Sequence, residues 1–309
     1  GHSRIFRRAY LDPFYIDLTG RALDGWRRLE DAAGERILVP TGGIDHGEAG
    51  DPPGMAKLLA AAGVPAEMLA PSEAAERWPG LIFDGAVLFH PDAGVTDPDR
   101  AMAAMARLAR AMGATLSYET RVTGLQRDGD GVRVQTDAGS WRARTVVAAA
   151  GGWVAPLLAG LVELPPLSVT QQQVFFFRPY EPSAWPTFIH EDHRIYGLPE
   201  GPLVKVAEHH RGKETTADSR DGVVDPAARE RVTSYVRQWL PGLDATPEAE
   251  LTCLYTTTSN QDFIVDRRGP FVVCSPCSGH GAKFAPLIGE LTADLVDGRP
   301  PLGRFALPA

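Results

Sequence analysis

Near the C-terminus an apolar run, Phe271-Val272-Val273-Cys274, gives way to a turn of small residues, Ser278-Gly279-His280-Gly281-Ala282-Lys283-Phe284. An amphipathic helix follows. Its apolar positions Phe284, Leu287, Ile288, Leu291 and Leu295 fall at helical spacing, and Gly298 with Pro300 and Pro301 ends the pattern. Strand, tight turn and helix in that order point to an α/β layer. Gly279 and Gly281 let backbone N–H groups approach a ligand, and the helix start adds partial positive charge. Lys283 falls in the first turn, where a cation opposes the helix dipole. It either serves a ligand or is a surface lysine on an ordinary tight turn.

The chain has 309 residues, enough for one or two domains with a sizeable core. Its net charge of −8 disfavours nucleic acid and anionic membrane surfaces as partners. Cys253, Cys274 and Cys277 are too few for a disulfide framework, so a reducing, cytoplasmic setting is the default. The start, Gly1-His2-Ser3-Arg4-Ile5-Phe6-Arg7-Arg8, is basic without an apolar region behind it, so no signal peptide is read there. The stretch Val146 to Val162 is the most apolar, but Gly151, Gly152, Pro156 and Gly160 interrupt it, which argues against a membrane span.

Residues 1–20 read as a connector. A helix is expected from Gly20 to about Asp31, short strands at 36–39 and 41–45, and helices over 55–62 and from a Ser72 cap to Trp78-Pro79-Gly80. Pro98 suits the first position of a helix that Gly113 ends, and its stripe Met102, Met105, Leu108 and Met112 reads as core packing. Strands are expected at 115–118, 122–127 and 132–136, the last two joined by Asp128-Gly129-Asp130-Gly131. Thr145 to Ala150 is a buried-type strand ending in Gly151-Gly152-Trp153. Strands follow at 165–177, 188–189 and 203–206. A helix from Pro226 shows Val232, Tyr235, Val236 and Trp239 on one side, and strands at 250–255 and 263–266 lead to the C-terminal unit. The expected fold is α/β (α+β mixed). A Rossmann-like dinucleotide-binding part (1–19, 96–159, 249–309) interleaves with a mixed-sheet substrate part (20–95, 160–248).

Several residues carry possible chemistry. Cys253, in Thr252-Cys253-Leu254-Tyr255-Thr256, is either a small buried hydrophobe or a reactive thiol. Cys274-Ser275-Pro276-Cys277 has a dithiol spacing, but no second ligand pair accompanies it, so no metal site is expected. Lys205 and His209 share a face if their strand continues, and a buried lysine can act as a charge or proton partner. Arg4 and Arg7 are spaced for one helical face and for carboxylate recognition, or form a solvated basic tail. No Gly-x-Ser-x-Gly elbow supports hydrolysis.

Taken in order, these stretches resemble the flavin-dependent amine oxidases of the monomeric sarcosine oxidase family, which includes N-methyltryptophan oxidase. The resemblance rests on the opening segment through Tyr10, on Arg77-Trp78-Pro79-Gly80 and on Ala149-Ala150-Gly151-Gly152-Trp153. It rests most specifically on Cys253-Leu254-Tyr255-Thr256, Asp262-Phe263-Ile264-Val265-Asp266 and Ser278 to Phe284. It implies FAD, attached through the sulfur of Cys253, with cofactor contacts at Val122, Ala150, Gly151, Trp153, Gly279, His280, Gly281 and Lys283. It implies that Arg7 and Lys283 hold a substrate carboxylate, that Arg4 lies against the flavin, and that Lys205 assists reaction with oxygen. His209, Tyr196 and Tyr255 would shape the amine site. The implied reaction oxidises an N-methyl amino acid to formaldehyde, the demethylated amino acid and hydrogen peroxide. The implied partners are that small substrate and oxygen, and the implied state is a monomer.

The chain departs from the family pattern in three places. The Gly-x-Gly-x-x-Gly fingerprint on an opening βαβ unit is absent, a unit of roughly 30 residues that would hold the FAD diphosphate. Gln171-Gln172-Gln173 stands where the family often has an Arg-Gln pair, and Cys277 is a second thiol near the motifs. Two alternatives therefore stay open: a related flavin enzyme for primary or cyclic amines, or a non-catalytic fragment.

Overall fold

The computed structural model describes residues 2–308. It is mixed α/β, as the alternating patterns predict. The chain forms two compact units. The first comprises Gly1–Met105, Gln171–Lys213 and Asp221–Cys253; the second comprises Ala106–Thr170, Glu214–Arg220 and Leu254–Ala309.

The first unit is built on a large mixed sheet. Successive neighbours are Leu167–Phe177, Leu203–Glu208, Ile195–Glu200, Thr187–His190, Gly43–His46, Val87–His90 and Glu67–Leu69. Gly43–His46 and Thr187–His190 pair parallel, with Ile44 opposite Phe188 and His46 opposite His190. Period-two alternation separates the two faces of these strands. Ile44, Phe175, Phe177, Phe188, Val204 and Val206 form one buried face. They pack with Val232, Tyr235, Val236 and Trp239 of the helix Pro226–Trp239, the stripe its sequence shows. Between them, Phe176 and Lys205 stand opposite each other on the other face, where Val174 and Ala207 also pack.

Four readings of the N-terminal region are corrected. Residues 1–20 are not a connector: Arg4–Phe6 is a strand paired with Gly94–Thr96. Arg4 and Arg7 therefore do not share a helical face. The first helix runs Pro13–Ala33, starting ahead of the expected Gly20. Asp12 caps it by accepting from the Phe14 N–H at 3.0 Å, and Tyr15, Ile16 and Leu18 are buried in its early turns. The short helix Pro71–Arg77 begins at Pro71, not from a Ser72 cap.

In the second unit, Val122–Asp128, Gly131–Thr136 and Gly139–Ala143 form a meander, with Gly129 at φ +63° in the expected hairpin. Thr115 to Tyr118 forms no strand. Val146–Ala148 pairs parallel with Phe271–Ser275, which also pairs antiparallel with Ile264–Arg268. Ala148, Val154, Leu158, Ile264, Phe271 and Val273 share the core of this unit. The helix Ala285–Val296 completes the expected C-terminal strand, turn and helix.

The methionine stripe is also corrected. The helix Pro98–Ala111 buries Ala101 and Ala104, while Met102 and Met112 are 62% and 88% exposed. Ala101 and Ala104 form the buried face of this helix, Met105 and Leu108 flank it half-buried, and Met102 points outward. No helix among the described residues is long and apolar enough to cross a membrane.

Candidate functional site

Within the first unit, alternation that sends Val204 and Val206 into the core sends Lys205 to the opposite face, where it is only 3% exposed. Its Nζ donates to the Ser3 carbonyl at 2.9 Å and to Glu200 Oε2 at 2.7 Å. The Ser3 hydroxyl donates to the same carboxylate oxygen. Burial pushes the Lys205 pKa below the usual lysine value, against the pull of Glu200; nearby Arg4 lowers it further and Cys253 acts the other way. Burial raises the Glu200 pKa, but the hydrogen bonds from Lys205, Ser3 and the His2 N–H together with the Lys205 charge outweigh it and leave the net value depressed. Lys205 thus feels the charges of Glu200, Arg4 and Cys253. Cys253 is half-buried on the strand Ala249–Thr258, and no disulfide joins the three cysteines.

Arg7 lies just beyond the Arg4–Phe6 strand and pairs with Asp45 Oδ1. The other Asp45 oxygen bonds His90 Nε2 at 2.7 Å, with both side chains 1% exposed. Burial opposes both charges, yet Asp45, Tyr10 and Glu191 together raise the Arg7 pKa, and Arg7, His90 and His46 together lower that of Asp45. The Arg7 guanidinium also lies 5.0 Å from the centroid of the Tyr10 ring. Five N–H donors on a guanidinium are not saturated by one carboxylate. Arg4 is exposed and donates to the Ser3 carbonyl at 2.7 Å.

The strand carrying Lys205 ends at Glu208, so the shared-face argument does not extend to His209. The His209 ring instead meets Tyr196 edge-on, with centroids 6.2 Å apart. Gln171 and Gln172 bind the nearby loops. Gln171 Nε2 donates to Asp221 at 2.9 Å and its Oε1 accepts from the Gly222 N–H at 3.1 Å, while Gln172 Oε1 accepts from the Gly212 N–H at 3.0 Å.

Within the second unit, Val146–Ala148 and Phe271–Ser275 run parallel with Ala148 opposite Val273. Their carboxyl ends therefore release the two small-residue turns, Ala150-Gly151-Gly152-Trp153 and Ser278 to Lys283, on the same side of the sheet. Crevices outside the carboxyl ends of parallel strands are where α/β sheets take ligands. Ser278 and Gly279 have φ of +38° and +76°. A side chain at Gly281 would collide with the Pro276 carbonyl, 1.4 Å from where its Cβ would stand. The turn is anchored by the Ser278 N–H to Thr256 O at 2.9 Å and by His280 Nε2 to Gln261 O at 3.1 Å. Lys283 is 6% exposed and donates to His280 O at 2.7 Å, which removes the surface-lysine reading. Trp153 Nε1 donates to Asp218 at 2.8 Å, and Val122 is 40% exposed. Tyr255 is half-buried on its strand. Cys277 Sγ accepts from the Thr256 N–H at 3.3 Å, whereas Cys274 Sγ meets Thr292 at 3.5 Å. The two thiols of that spacing serve different neighbours.

Comparison with known proteins decides the family. The FAD-dependent oxidoreductase (DAO) model matches residues 2–295. The chain belongs to that family. It is 31% identical to a monomeric sarcosine oxidase from Streptomyces avermitilis, over 96% of this chain and 82% of that protein. It is 29% identical to N-methyl-L-tryptophan oxidase from Citrobacter koseri, over 97% and 84% respectively. Among solved structures, NikD, described as an unusual amino acid oxidase essential for nikkomycin biosynthesis, superposes with a TM-score of 0.88 at 28% identity. That match covers 99% of this chain and 86% of NikD.

Sequence reasoning missed Ser3, Asp45, His90 and Glu200. Asp45 had a signal, a lone carboxylate between Ile44 and His46 in a short buried strand. Glu200 had none, since its partner Lys205 lies across a turn at Gly201 that the pattern did not show. The donor set of the first unit suits the flavin end of FAD: buried Lys205 lies within electrostatic reach of Arg4 and the Cys253 thiol, and a reduced flavin carries negative charge.

Proposed function

We propose that this DAO-family protein is an FAD-dependent oxidase of N-methyl amino acids such as sarcosine or N-methyltryptophan. The products would be formaldehyde, the demethylated amino acid and hydrogen peroxide. The observation that carries the reading is Lys205, a buried lysine of lowered pKa within the field of Arg4 and the Cys253 thiol.

A bound flavin would accept two electrons from the amine and return them to oxygen. The chain's own residues would prepare that exchange. Cys253 would tether the ring through its sulfur, because the thiolate is the nucleophile such a bond needs. Lys205 and Arg4 would favour negative charge on the ring, a preorganised field of the kind that dominates many catalytic sites. Glu200 and the Ser3 carbonyl hold Lys205 Nζ in place. Arg7, anchored by Asp45, would offer its remaining donors to the substrate carboxylate, and Lys283 is proposed for the same task. Tyr196 and His209 meet edge-on and would border the amine, with Tyr255 proposed as a further wall. Val122, Ala150, Gly151, Trp153, Gly279, His280 and Gly281 are proposed as cofactor contacts. The interleaved division into cofactor and substrate parts is also a proposal, as are a monomeric state and a cytoplasmic setting.

The test is flavin retention through acid denaturation together with peroxide release on sarcosine, N-methyltryptophan, pipecolate and glycine. The expected result is colour in the precipitate of the parent and of Cys277→Ala, none in that of Cys253→Ala, and turnover of the N-methyl substrates. Colour that leaves the denatured parent would remove the covalent link. Turnover confined to pipecolate or glycine would move the chain to the cyclic or primary amine reading.

A further inference from the structure

The core-facing side of the large sheet holds a cluster that the flavin chemistry does not use. His46 and His190 stand opposite each other on the paired parallel strands, with ring centroids 4.0 Å apart. Asp84, from the loop after the helix Pro71–Arg77, reaches the same place. One ligand atom from each of the three lies within 4.8 Å of the others. His46 is 2% exposed and His190 0% exposed. His46 Nδ1 and His190 Nε2 are buried without a hydrogen-bond partner. A buried polar nitrogen without a partner is costly, by about 1–3 kcal/mol, and two of them in one cluster beside a carboxylate ask for an occupant.

We propose that His46, Asp84 and His190 bind a divalent transition-metal ion, zinc first among the candidates, with water in the fourth position. Two imidazoles and one carboxylate form a borderline donor set that suits Zn²⁺. His190 is already oriented for the task. Its Nδ1 lies 3.0 Å from the Tyr235 hydroxyl, so an Nδ1–H donating to that oxygen leaves Nε2 with its lone pair for the ion. Burial lowers the pKa of His46 to about 3 and of His190 to about 4, so both rings are neutral near pH 7, and neutral imidazole is the ligating form. Phe83 and Trp239 close the walls around the rings, with centroids 5.2 Å from His46 and 4.8 Å from His190. Asp84 is exposed, which leaves a path of entry.

The site is independent of the flavin reading. Asp45 precedes His46 on its strand, and alternation turns it to the opposite face, toward Arg7 and His90. Its ligands come from three distant parts of the chain, so no spacing motif shows it. Its role would be to fix the Asp84 loop to the two paired strands.

The test is zinc binding by the full chain, stripped with chelator and titrated with zinc chloride alone. Cobalt(II) substitution gives the geometry. The expected result is one zinc per chain, a raised unfolding midpoint with zinc, and visible tetrahedral cobalt bands. Asp84→Asn and His190→Gln would lose stoichiometric binding. Tyr235→Phe would weaken it by about 10- to 100-fold. Asp84 is exposed, so its variant keeps the fold even if the histidine variants do not. The proposal is overturned if the stripped parent takes up no zinc at equimolar concentration. It is also overturned if Asp84→Asn binds zinc as tightly as the parent and shows the same cobalt spectrum.

Discussion

The two faces of the large sheet are built from the same strands but held together differently. On one face Ile44, Phe175, Phe188, Val204 and Val206 bury apolar area against the helix Pro226–Trp239. On the other, Lys205 and Asp45 are buried just as deeply, yet each is matched to an opposite charge, Glu200 and Arg7. Depth of burial therefore does not separate scaffold from chemistry here. What separates them is that one face gains from area removed from water, whereas the other must balance desolvation with charge pairing. The second kind of face can respond to a charged organic ligand, because its charges have donors and acceptors to reassign, whereas the first offers the unpartnered nitrogens of His46 and His190.

The comparison breaks most visibly at Phe188, which is fully buried opposite Ile44. Phe188→Ala is expected to destabilise by about 3–5 kcal/mol through lost transfer energy and a cavity, measured by denaturant unfolding. The turnover of molecules that remain folded should hardly change. A large loss of kcat at full folding would show that the two faces are not separable.

Lys205→Met makes the reverse cut. Loss of a preorganised cation is expected to slow oxygen consumption by about 100-fold or more. It also leaves Glu200 buried beside the Ser3 hydroxyl without its main partner. The double variant Lys205→Met/Glu200→Gln is expected to regain stability without regaining rate. Rate recovery in the double variant would make Lys205 a structural residue only.

Glu200→Gln sharpens the energetic side. Against burial, the Lys205 and Ser3 hydrogen bonds, the Lys205 charge and the His2 N–H together hold the Glu200 pKa below 4.5. A carboxylate with a depressed folded pKa contributes stability above its unfolded value and loses it as pH falls through the folded one. The variant is expected to be less stable than the parent by about 1–3 kcal/mol at pH 7. The gap should close progressively below pH 4.5. A gap independent of pH would mean that the charge is not what holds Lys205.

Much of this arrangement was legible in the sequence where local chemistry and fold agree. The strand, turn and helix of 271–296 follow from β-branched residues, glycines and helical spacing, and the structure places them where the pattern does. Val232, Tyr235, Val236 and Trp239 declared their face in advance. The strand Ile195–Glu200 escaped because Gly197 and Pro199 interrupt any strand pattern, although Phe188 packs in the space that Gly197 leaves. The helix start at Pro13 escaped because it rests on one cap, Asp12, inside a stretch with an uneven apolar pattern. Of the candidate site, Lys205 and Arg7 stood out as single residues, but Glu200, Ser3 and Asp45, which bind them, did not. Charge pairing depends on which strands become neighbours, and residues 3 and 205 lie 202 positions apart. The histidine cluster was invisible for the same reason.

The smallest effect tests the same rule on a helix. Met102, Met105, Leu108 and Met112 recur at core spacing, yet Met102 and Met112 are largely exposed and the alanines Ala101 and Ala104 are buried. Met105 and Leu108 are half-buried at i+4 and i+7 from Ala101, so only part of the stripe joins the packed face. Close approach of the backbone over alanine leaves the flanking large side chains at its edge. Met102→Gln and Met112→Gln are each expected to change stability by less than about 0.5 kcal/mol. Ala104→Met, which forces a long side chain into the packed face, is expected to cost about 1–3 kcal/mol. Thermal unfolding of the three variants side by side checks the order. If the methionine variants cost more than Ala104→Met, the stripe is the packed face after all and the alanines face water.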